Sequence, residues 1–325
     1  MEKVLVTGPT GFIGSEVARQ LAKSGRRPRL LVRRPLRGIV LKSLDAEIAQ
    51  GDLRSPRSLD RALAGMDTVI HLGARATFER YELLRPSIVE GSMTLMRAAA
   101  DAGVRSFIYG GSLLVYGHQD QPITQETPAR PRIDYSRAKL EAEQRLLKLA
   151  EEAGMRFCSV RLPHVYGANS LLFNEIRRGR VLFPGRGDNL FAHLHVADAA
   201  RALIRAAESE RTGVCVVADN APRTWNELFA ITREYYPRFR VIHVPTRLAL
   251  FTTGALEVFS RFRRAPNLYS PDAVESWNAR LTVEPGTLRK ALGIEPAYPS
   301  LEDGIPAVLD DCISFMCGHS TTDRC

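Results

Sequence analysis

Three side chains in the middle of the sequence have the types and the spacing for proton transfer to a carbonyl oxygen. Tyr135 and Lys139 are four residues apart on a predicted helix, so their side chains share one face. A tyrosine has an ordinary pKa of about 10, and a nearby ammonium group favours the phenolate and lowers that pKa. Tyr135 could then be the general acid and base between an alcohol and a ketone, with Ser112 bonded to the same oxygen. Because Tyr-x-x-x-Lys is common by chance, its weight depends on its surroundings.

A glycine-rich segment near the start of the chain has the spacing of a phosphate-binding loop. It begins at Thr7, follows a predicted strand and opens a predicted helix. Glycines let the chain turn sharply, let a pyrophosphate approach the backbone, and let the helix pack close to the sheet, while the helix N-terminus supplies free N–H groups. The alternative is a plain glycine-rich turn. The candidate cofactor-binding residues of this loop are Gly8, Thr10, Gly11, Phe12, Ile13 and Gly14.

The end of the second predicted strand selects between the two nicotinamide dinucleotides. An acidic residue about 20 positions after the glycines would bind the ribose 2′-hydroxyl of NAD. This chain has Arg33 and Arg34 there, with Arg37 nearby. A guanidinium group binds a 2′-phosphate through paired charged hydrogen bonds, whereas a carboxylate repels it. NADP(H) is therefore favoured over NAD(H), the alternative being a solvated basic turn.

Hydrophobic periodicity predicts the elements that position these residues. Short apolar runs indicate strands at 3–6, 29–33, 68–72, 106–109 and 156–162. Apolar residues at helical spacing indicate helices at 12–24, 59–64, 89–102 and 135–153. Strands separated by helices imply a parallel sheet with right-handed crossovers. The predicted fold class is α/β, a doubly wound parallel Rossmann sheet with a smaller, mixed α/β C-terminal substrate domain.

The composition and periodicity of the sequence change at about residue 165. Pro and Gly become frequent there, and the predicted alternation of strands and helices becomes irregular. We expect residues 1–167 to form the dinucleotide-binding domain, with a later segment near 193–218 returning to it. Residues 168–325 are expected to form mainly the substrate-binding domain.

Composition excludes several classes of protein. The chain has 325 residues, of which 45% are hydrophobic and 25% charged, which excludes disorder, a collagen-like fibre and a disulfide-stapled mini-protein. Its 45 Lys and Arg against 36 Asp and Glu give a formal charge of +9. That surplus suits a phosphorylated small molecule, an anionic membrane or a solvated basic surface. No dense basic block with interleaved aromatics is present, so we expect a small-molecule substrate and no nucleic acid.

Cysteine content and the length of the apolar runs predict the cellular compartment of the protein and whether it spans a membrane. Five cysteines spread along the chain favour reduced thiols in the cytoplasm over a secreted disulfide framework. No signal peptide is predicted, and no window approaches the roughly 20 apolar residues that span a bilayer. We expect a cytoplasmic homodimer without a membrane span and leave peripheral membrane contact open.

The motifs are more specific in combination than singly. In chain order they are Thr7-Gly8-x-x-Gly11-x-x-Gly14, Gly51-Asp52-Leu53, His71-Leu72-Gly73-Ala74, Ser112-x-x-Val115-Tyr116-Gly117, Tyr135-x-x-x-Lys139, Arg161-x-Pro163-x-Val165-Tyr166-Gly167 and His195-Val196-x-Asp198. With this series the chain resembles the extended short-chain dehydrogenase/reductases, in their epimerase/dehydratase-like branch, over nearly its whole length.

The resemblance implies roles for the catalytic residues. Ser112, Tyr135 and Lys139 match the catalytic triad of that family, in which the lysine also holds the nicotinamide ribose. Ile88 stands where the family often has an asparagine that supports a water path to the lysine. The proton relay is therefore in doubt, although the triad is complete.

The resemblance also implies further cofactor contacts. Two residues would lie beside the adenine, three on the adenine-ribose side and two near the nicotinamide. In that order they are Asp52 and Leu53; Leu72, Gly73 and Ala74; and Pro163 and Val165.

These expectations favour an NADP(H)-dependent oxidoreductase that interconverts a secondary alcohol and a ketone on a small hydrophobic substrate. The basic end of the second strand resembles the dihydroflavonol-reductase-like and 3β-hydroxysteroid-dehydrogenase-like groups. One alternative is an NAD-dependent sugar or nucleotide-sugar epimerase, and another is a non-catalytic dinucleotide-binding sensor or assembly subunit. A 4,6-dehydratase is disfavoured because Leu113 and Leu114 stand where such enzymes need acidic residues.

Two features of the C-terminal half have no assigned role. Leu248, Phe251, Ala255, Phe259 and Phe262 recur at helical spacing, with Arg261, Arg263 and Arg264 beside them. We expect a core-facing helix, the alternatives being a flap over an apolar substrate or a helix on a membrane surface. The tail carries the zinc-ligand types Cys312, Cys317, His319 and Cys325, but their spacing is not a familiar one, so no metal is predicted.

Overall fold

The computed structural model describes residues 1–34, 41, 43–260 and 270–317. Its strands are β1 (Val4–Thr7), β2 (Arg29–Val32), β3 (Glu47–Gln50), β4 (Thr68–His71), β5 (Ser106–Ser112), β6 (Arg156–Leu162), β7 (His164–Tyr166), β8 (Arg180–Pro184), β9 (Leu190–Phe191), β10 (His193–His195), β11 (Gly213–Val216), β12 (Arg223–Thr224) and β13 (Arg240–Val244).

Its α-helices are α1 (Phe12–Lys23), α2 (Pro56–Leu63), α3 (Tyr81–Arg85), α4 (Gly91–Asp101), α5 (Asp134–Glu152), α6 (Leu171–Arg177), α7 (Val196–Glu208), α8 (Trp225–Tyr235), α9 (Thr246–Ser260), α10 (Pro271–Asn278), α11 (Thr287–Leu292) and α12 (Leu301–Cys317). A π-helix spans Pro86–Glu90 between α3 and α4, and a 3-10 helix spans Leu113–Tyr116 after β5.

Seven strands form one sheet in the order β11-β6-β5-β4-β1-β2-β3, and every neighbouring pair is parallel. The predicted α/β class with a doubly wound sheet is confirmed. The chain moves outward in one direction from β1 to β3 and then in the other from β4 to β6. The carboxyl ends of the strands therefore meet at one edge, the usual ligand-binding edge of such sheets.

Helices cover both faces of the sheet because each presents one apolar side to it. Val17 and Leu21 of α1 pack with Leu203 of α7 on one face. Leu59 of α2 and Leu146 of α5 belong to the core on the opposite face, together with α4. The all-buried strands between them suit the continuous apolar runs in the sequence.

The smaller part of the chain is built from three two-stranded sheets and the later helices. The sheets pair β7 with β10, β8 with β13, and β9 with β12. Its core is aromatic: Phe183 lies 5.1 Å from Trp277 and 5.7 Å from Phe229 between ring centroids, and Trp225 stacks on Trp277 at 4.8 Å. This core packs against the end of β5 through Leu113 and neighbouring residues.

The orientation of α9 differs from the expectation. Leu248, Phe251 and Ala255 face solvent, whereas Ala249 and Thr253 are buried. The predicted core-facing stripe is therefore wrong for the described residues, because the contact with the protein is made by the small side chains between the large ones. The side chain of Phe259, residues 261–264, the side chains of Cys312 and Cys317, His319 and Cys325 lie outside the described part. None of the helices in that part is both long and apolar enough to cross a bilayer.

Candidate active site

The loop between β1 and α1 has the shape of a phosphate cradle. Gly8 has a φ of +69°, and a Cβ atom there would lie 2.8 Å from the carbonyl carbon of Leu72. A Cβ atom on Gly14 would lie 2.1 Å from the Gly8 carbonyl oxygen. Helix α1 begins after Gly11 without a side-chain cap or an acidic residue in its first turn, which leaves N–H groups for an anion. This geometry fits a dinucleotide pyrophosphate. The loop and the first turn of α1 hold Gly8, Thr10, Gly11, Phe12, Ile13 and Gly14.

Two exposed arginines, Arg33 and Arg34, follow the carboxyl end of β2. At the end of the neighbouring strand β3, Asp52 accepts hydrogen bonds from the Arg54 side chain at 2.9 and 3.2 Å. These bonds, and to a smaller extent the charge of Arg33, hold the pKa of Asp52 below its usual value. The Asp52 carboxylate is therefore already paired with another guanidinium group. Arg37 lies outside the described residues.

A buried hydrogen-bond chain supports the adenine side of the site. Thr7 Oγ1 lies 2.7 Å from His71 Nδ1 and accepts a hydrogen bond from the Gly73 N–H at 2.9 Å. His71 Nε2 lies 2.8 Å from Ser92 Oγ. A Cβ atom on Gly73 would lie 3.3 Å from Leu53 Cδ1, so this segment and the segment after β3 meet closely. The edge thus also brings together Asp52, Leu53, Leu72, Gly73 and Ala74.

Ile88, in the place of the family's asparagine, is fully buried in the π-helix. Its side chain belongs to the apolar core, and its carbonyl oxygen accepts a hydrogen bond from Ser92 Oγ at 2.6 Å. Burial, with a smaller effect of the Lys139 charge, lowers the pKa of His71 to about 3, so this ring is neutral. The Ile88 side chain therefore offers no polar atom to a proton relay, and its backbone carbonyl belongs to the chain of hydrogen bonds through Ser92 and His71.

The proposed catalytic side chains stand on β5 and the first turns of α5. Ser112 is the last residue of β5, and its Oγ accepts a hydrogen bond from the Leu114 N–H at 3.3 Å. Lys139 Nζ donates a hydrogen bond to the carbonyl of Gly110, which precedes Ser112 on the same strand. That bond holds the face of α5 that carries Tyr135 and Lys139 against the strand that ends in Ser112.

The titration of Tyr135 differs from the expectation. Burial raises the pKa of Tyr135 to about 12. Burial also lowers the pKa of Lys139 to about 7, with Glu143 opposing part of that shift. The Lys139 ammonium group is engaged by Gly110 and lies over the Tyr109 ring, 4.1 Å from its centroid. The expected lowering of the Tyr135 pKa is therefore wrong, because burial raises that pKa and the Lys139 ammonium group donates its hydrogen bond to Gly110. A phenol held in its protonated form suits the donation of a proton to a ketone oxygen.

A buried ion pair joins Arg161 to Glu143, a residue that belongs to none of the sequence motifs. Glu143 accepts hydrogen bonds from Ser159 Oγ at 2.5 Å and from the Arg161 guanidinium group, with both charged side chains almost fully buried. Arg161 also lies over the Tyr116 ring, 4.8 Å from its centroid. The sequence does carry a signal for it, since Glu143 is four residues after Lys139 on α5 and shares its face.

The segment from Pro163 through β7 to Gly167 reaches the start of α1. Pro163 and Val165 are both partly buried there. A Cβ atom on Gly167 would lie 3.0 Å from Phe12 Cζ, so this segment borders the glycine-rich loop. The structure therefore gathers the predicted cofactor-binding and catalytic residues at one edge of the sheet.

A cavity of about 260 Å³ is lined in part by residues that are close in the sequence to the proposed catalytic residues. Leu114, two residues after Ser112, and Ile133, two residues before Tyr135, contribute to one wall. Leu250 of α9 and Val274 of α10 contribute to the other, and Arg132 is among its polar groups. An apolar molecule of modest size could therefore bind between the large sheet and these two helices.

Comparison with known proteins agrees with the observed fold. The solved structure of MoeE5 in complex with UDP-glucose and NAD is 25% identical, with a TM-score of 0.78, and the match covers 97% of this chain and 99% of that chain. The ceramide reductase of Caulobacter vibrioides is 28% identical over 274 residues, which are 82% of this chain and 81% of that protein. The 3-beta-hydroxysteroid dehydrogenase of Mycolicibacterium neoaurum is 32% identical over 187 residues, or 54% and 50% of the two chains.

A model of the NAD dependent epimerase/dehydratase family matches residues 4–218, more than half of the chain. Together with the sheet topology, this match identifies the chain as a member of that family and as an NAD(P)-dependent enzyme of the extended short-chain dehydrogenase/reductase type.

Proposed function

We propose that this enzyme interconverts a secondary alcohol and a ketone on a small apolar substrate and uses NADP(H). The observation that carries the proposal is the position of the cavity. It is bounded by Leu114, close after Ser112, and by Ile133, close before Tyr135. A carbonyl group in the cavity would lie near both hydroxyl groups, and the apolar lining from Leu250 and Val274 suits a hydrophobic body.

In the proposed reaction the bound nicotinamide supplies hydride transfer. Tyr135, with a pKa of about 12, donates the proton to the substrate oxygen during reduction. Ser112 Oγ accepts a hydrogen bond from the Leu114 N–H, which leaves its own hydrogen free to bond the same substrate oxygen. Lys139 holds α5 on β5 through Gly110, and we assign it the ribose of the cofactor as well.

The preference for NADP(H) rests on Arg33 and Arg34. Both are exposed at the end of β2, where a 2′-phosphate would be bound, and Asp52 is paired with Arg54. We expect the protein to bind NADPH more tightly than NADH by about tenfold to a hundredfold, the effect of charged hydrogen bonds of about 1.5–3 kcal/mol.

Isothermal titration calorimetry with both cofactors tests this preference. Arg33→Asp should reverse it, because a carboxylate repels the 2′-phosphate. Arg105→Asp, an exposed arginine just before β5, is the control and should leave both affinities unchanged. Equal affinities for the two cofactors in the unmodified protein would contradict the proposal.

The second candidate is an NAD-dependent nucleotide-sugar epimerase, which is supported by the likeness to MoeE5 in complex with UDP-glucose and NAD. Mass spectrometry of small molecules that co-purify with the native protein separates the two candidates. Tightly held NAD, together with turnover of a UDP-sugar, would favour the epimerase. Consumption of NADPH with an apolar ketone, and none with UDP-sugars, would favour the oxidoreductase.

A homodimer in the cytoplasm remains our prediction. The cytoplasmic location rests on the five cysteines spread along the chain, which favour reduced thiols over a disulfide framework. Sedimentation equilibrium of the purified protein tests the oligomeric state.

A further inference from the structure

We propose that α9, together with the adjoining two-stranded sheet β8–β13, forms a docking surface for an anionic lipid membrane. The helix contacts the protein through buried Ala249 and Thr253 and turns large apolar side chains to solvent. The exposed fractions of these side chains are 51% for Leu248, 41% for Leu250, 75% for Phe251 and 51% for Leu256.

Exposure of this kind on one helix is unusual for an ordinary protein surface. Isolated exposed apolar residues need no explanation, but a contiguous group marks a place of interaction. The 15 residues of α9 include one basic residue, Arg247, and one acidic residue, Glu257. The helix therefore lacks the charged outer face that a solvated helix normally has.

The sheet that leads into α9 carries a second, charged feature. In the parallel register of β8 and β13, Arg180 pairs with Arg240 and Leu182 pairs with Ile242. All four residues are exposed, so they share the outer face of this sheet. Leu182 and Ile242 add to the apolar surface, and Pro245 alone separates the end of β13 from α9.

The two arginines have no acidic partner within the part of the chain that the structure describes. Neither Arg180 nor Arg240 forms an ion pair with any residue that the structure describes, and the two strands contain no acidic residue. Arg247, at the start of α9, is likewise exposed and unpaired within that part of the chain. Like charges directly opposite each other destabilise a strand pair unless an anion neutralises them. The surface is thus complementary to anions beside an apolar phase.

A phospholipid bilayer supplies anionic groups and an apolar phase side by side, because its phosphate groups lie directly above the acyl chains. A second copy of this chain fits less well. In a two-fold interface the same patch meets itself, which would bring the Arg180 and Arg240 pair of one copy towards that of the other. We therefore assign the surface to an anionic membrane.

Membrane binding through α9 would also affect how the substrate enters the cavity, an inference that rests on the proposed function. Thr246 and Leu250 of α9 also line the cavity next to the catalytic residues. A helix in the headgroup region would place one wall of that cavity at the membrane, so an apolar ketone or alcohol could enter without crossing bulk water.

Vesicle co-sedimentation of the full chain tests the docking surface directly. The probes are phosphatidylcholine vesicles with and without phosphatidylglycerol, at low and high salt. We expect binding to the anionic vesicles that weakens with salt. Leu248→Asp and Phe251→Asp should each weaken it at least tenfold. Arg180→Gln with Arg240→Gln should weaken it by about fivefold for each arginine, and only on anionic vesicles.

Leu83→Asp is the matched control, because Leu83 on α3 is 52% exposed but lies outside the proposed surface. It should bind vesicles as the unmodified protein does, and all variants should retain the melting temperature. Two results would overturn the proposal: no binding to anionic vesicles, or binding that the α9 variants leave unchanged. A dimer that Phe251→Asp converts to a monomer would also overturn it, because a second copy would then cover α9. Vesicle binding does not depend on catalysis, so failure to reduce apolar ketones would refute the proposed function and leave this result standing.

Discussion

The carboxyl edge of the seven-stranded sheet and the outer surface of α9 arrange polar and apolar groups in opposite ways. At the sheet edge, buried polar side chains are bonded: Lys139 to Gly110, Glu143 to Arg161, and His71 to Thr7 and Ser92. On α9, four large apolar side chains are between 41% and 75% exposed to solvent. The first region fixes groups for chemistry inside the molecule. The second keeps an apolar surface free for something outside it.

The largest effect is expected from Tyr135→Phe. This change removes the proposed proton donor and keeps the ring, so turnover of an apolar ketone should fall by about two to four orders of magnitude. Affinity for NADPH should survive, because the phosphate cradle is untouched. Steady-state kinetics and calorimetry on the same sample measure both. Lys139→Ala should impair both quantities, and normal turnover by Tyr135→Phe would refute the assigned role.

The buried ion pair offers the next largest effect. Glu143→Ala leaves the Arg161 guanidinium group buried without its carboxylate, which typically lowers the free energy of unfolding by about 3–5 kcal/mol. Glu175→Ala breaks the exposed pair with Arg178 and should cost less than about 1 kcal/mol. Urea denaturation of the two variants gives the comparison. Equal costs would mean that the pair beneath the site has no special structural role.

A smaller, pH-dependent effect is expected at Asp219, which is buried with both carboxylate oxygens unbonded. Burial raises its pKa to about 8. The unfolded chain loses this proton at a lower pH than the folded chain, so this group makes the folded state less stable as pH rises towards 8. Asp219→Asn removes that dependence. Its stability relative to the unmodified protein should rise between pH 6 and 8, by at most about 1.4 kcal/mol per unit, and level off above pH 8.

Thermal unfolding across this range measures the difference between the two proteins. A constant difference from pH 6 to pH 8 would show that Asp219 ionises at the same pH in the folded and unfolded chains.

The smallest effect is expected from Phe251→Asp on stability. The side chain is exposed, so the free energy of unfolding should change by no more than about 0.5 kcal/mol. Phe229→Asp is the contrasting variant, since that ring is buried in the aromatic core and an unpaired charge there should prevent folding. Unfolding of the Phe251 variant would show that α9 is covered by protein and would remove the contrast between the two regions.

Sequence periodicity was a good guide wherever a strand is buried on both faces. The strands β1, β2, β4, β5 and β6 are found where continuous apolar runs predict them. It failed for β3, because Glu47–Gln50 forms the edge of the sheet and is largely exposed, so it carries no apolar run. For α9, the spacing of Leu248 and Phe251 predicts a helix with an apolar stripe. It does not predict whether that stripe faces the core or the solvent, because the period is the same in both cases.

The motifs predicted which residues meet at the sheet edge, because parallel strands bring their carboxyl ends together. They could not predict the direction in which the Tyr135 pKa moves. That direction depends on how much solvent the tertiary packing removes and on the carbonyl of Gly110, which lies far from Lys139 in the sequence and binds its ammonium group. The spacing of residues on a helix predicts which side chains are neighbours along that helix. It does not predict which groups of the adjacent strand, here β5, they contact.

The parallel pairing of β11 with β6 makes the two parts of this chain inseparable. Gly213–Val216 is reached only after the chain has passed through the smaller part, yet it covers the backbone of β6 from Cys158 to Arg161. A fragment that ended at residue 167 would leave this apolar strand as an open edge, with its amide and carbonyl groups ready to pair with another molecule. Such a fragment should aggregate. Insertions that lengthen the segment between β7 and β9 leave that edge covered, so the smaller part can change in length without exposing the sheet.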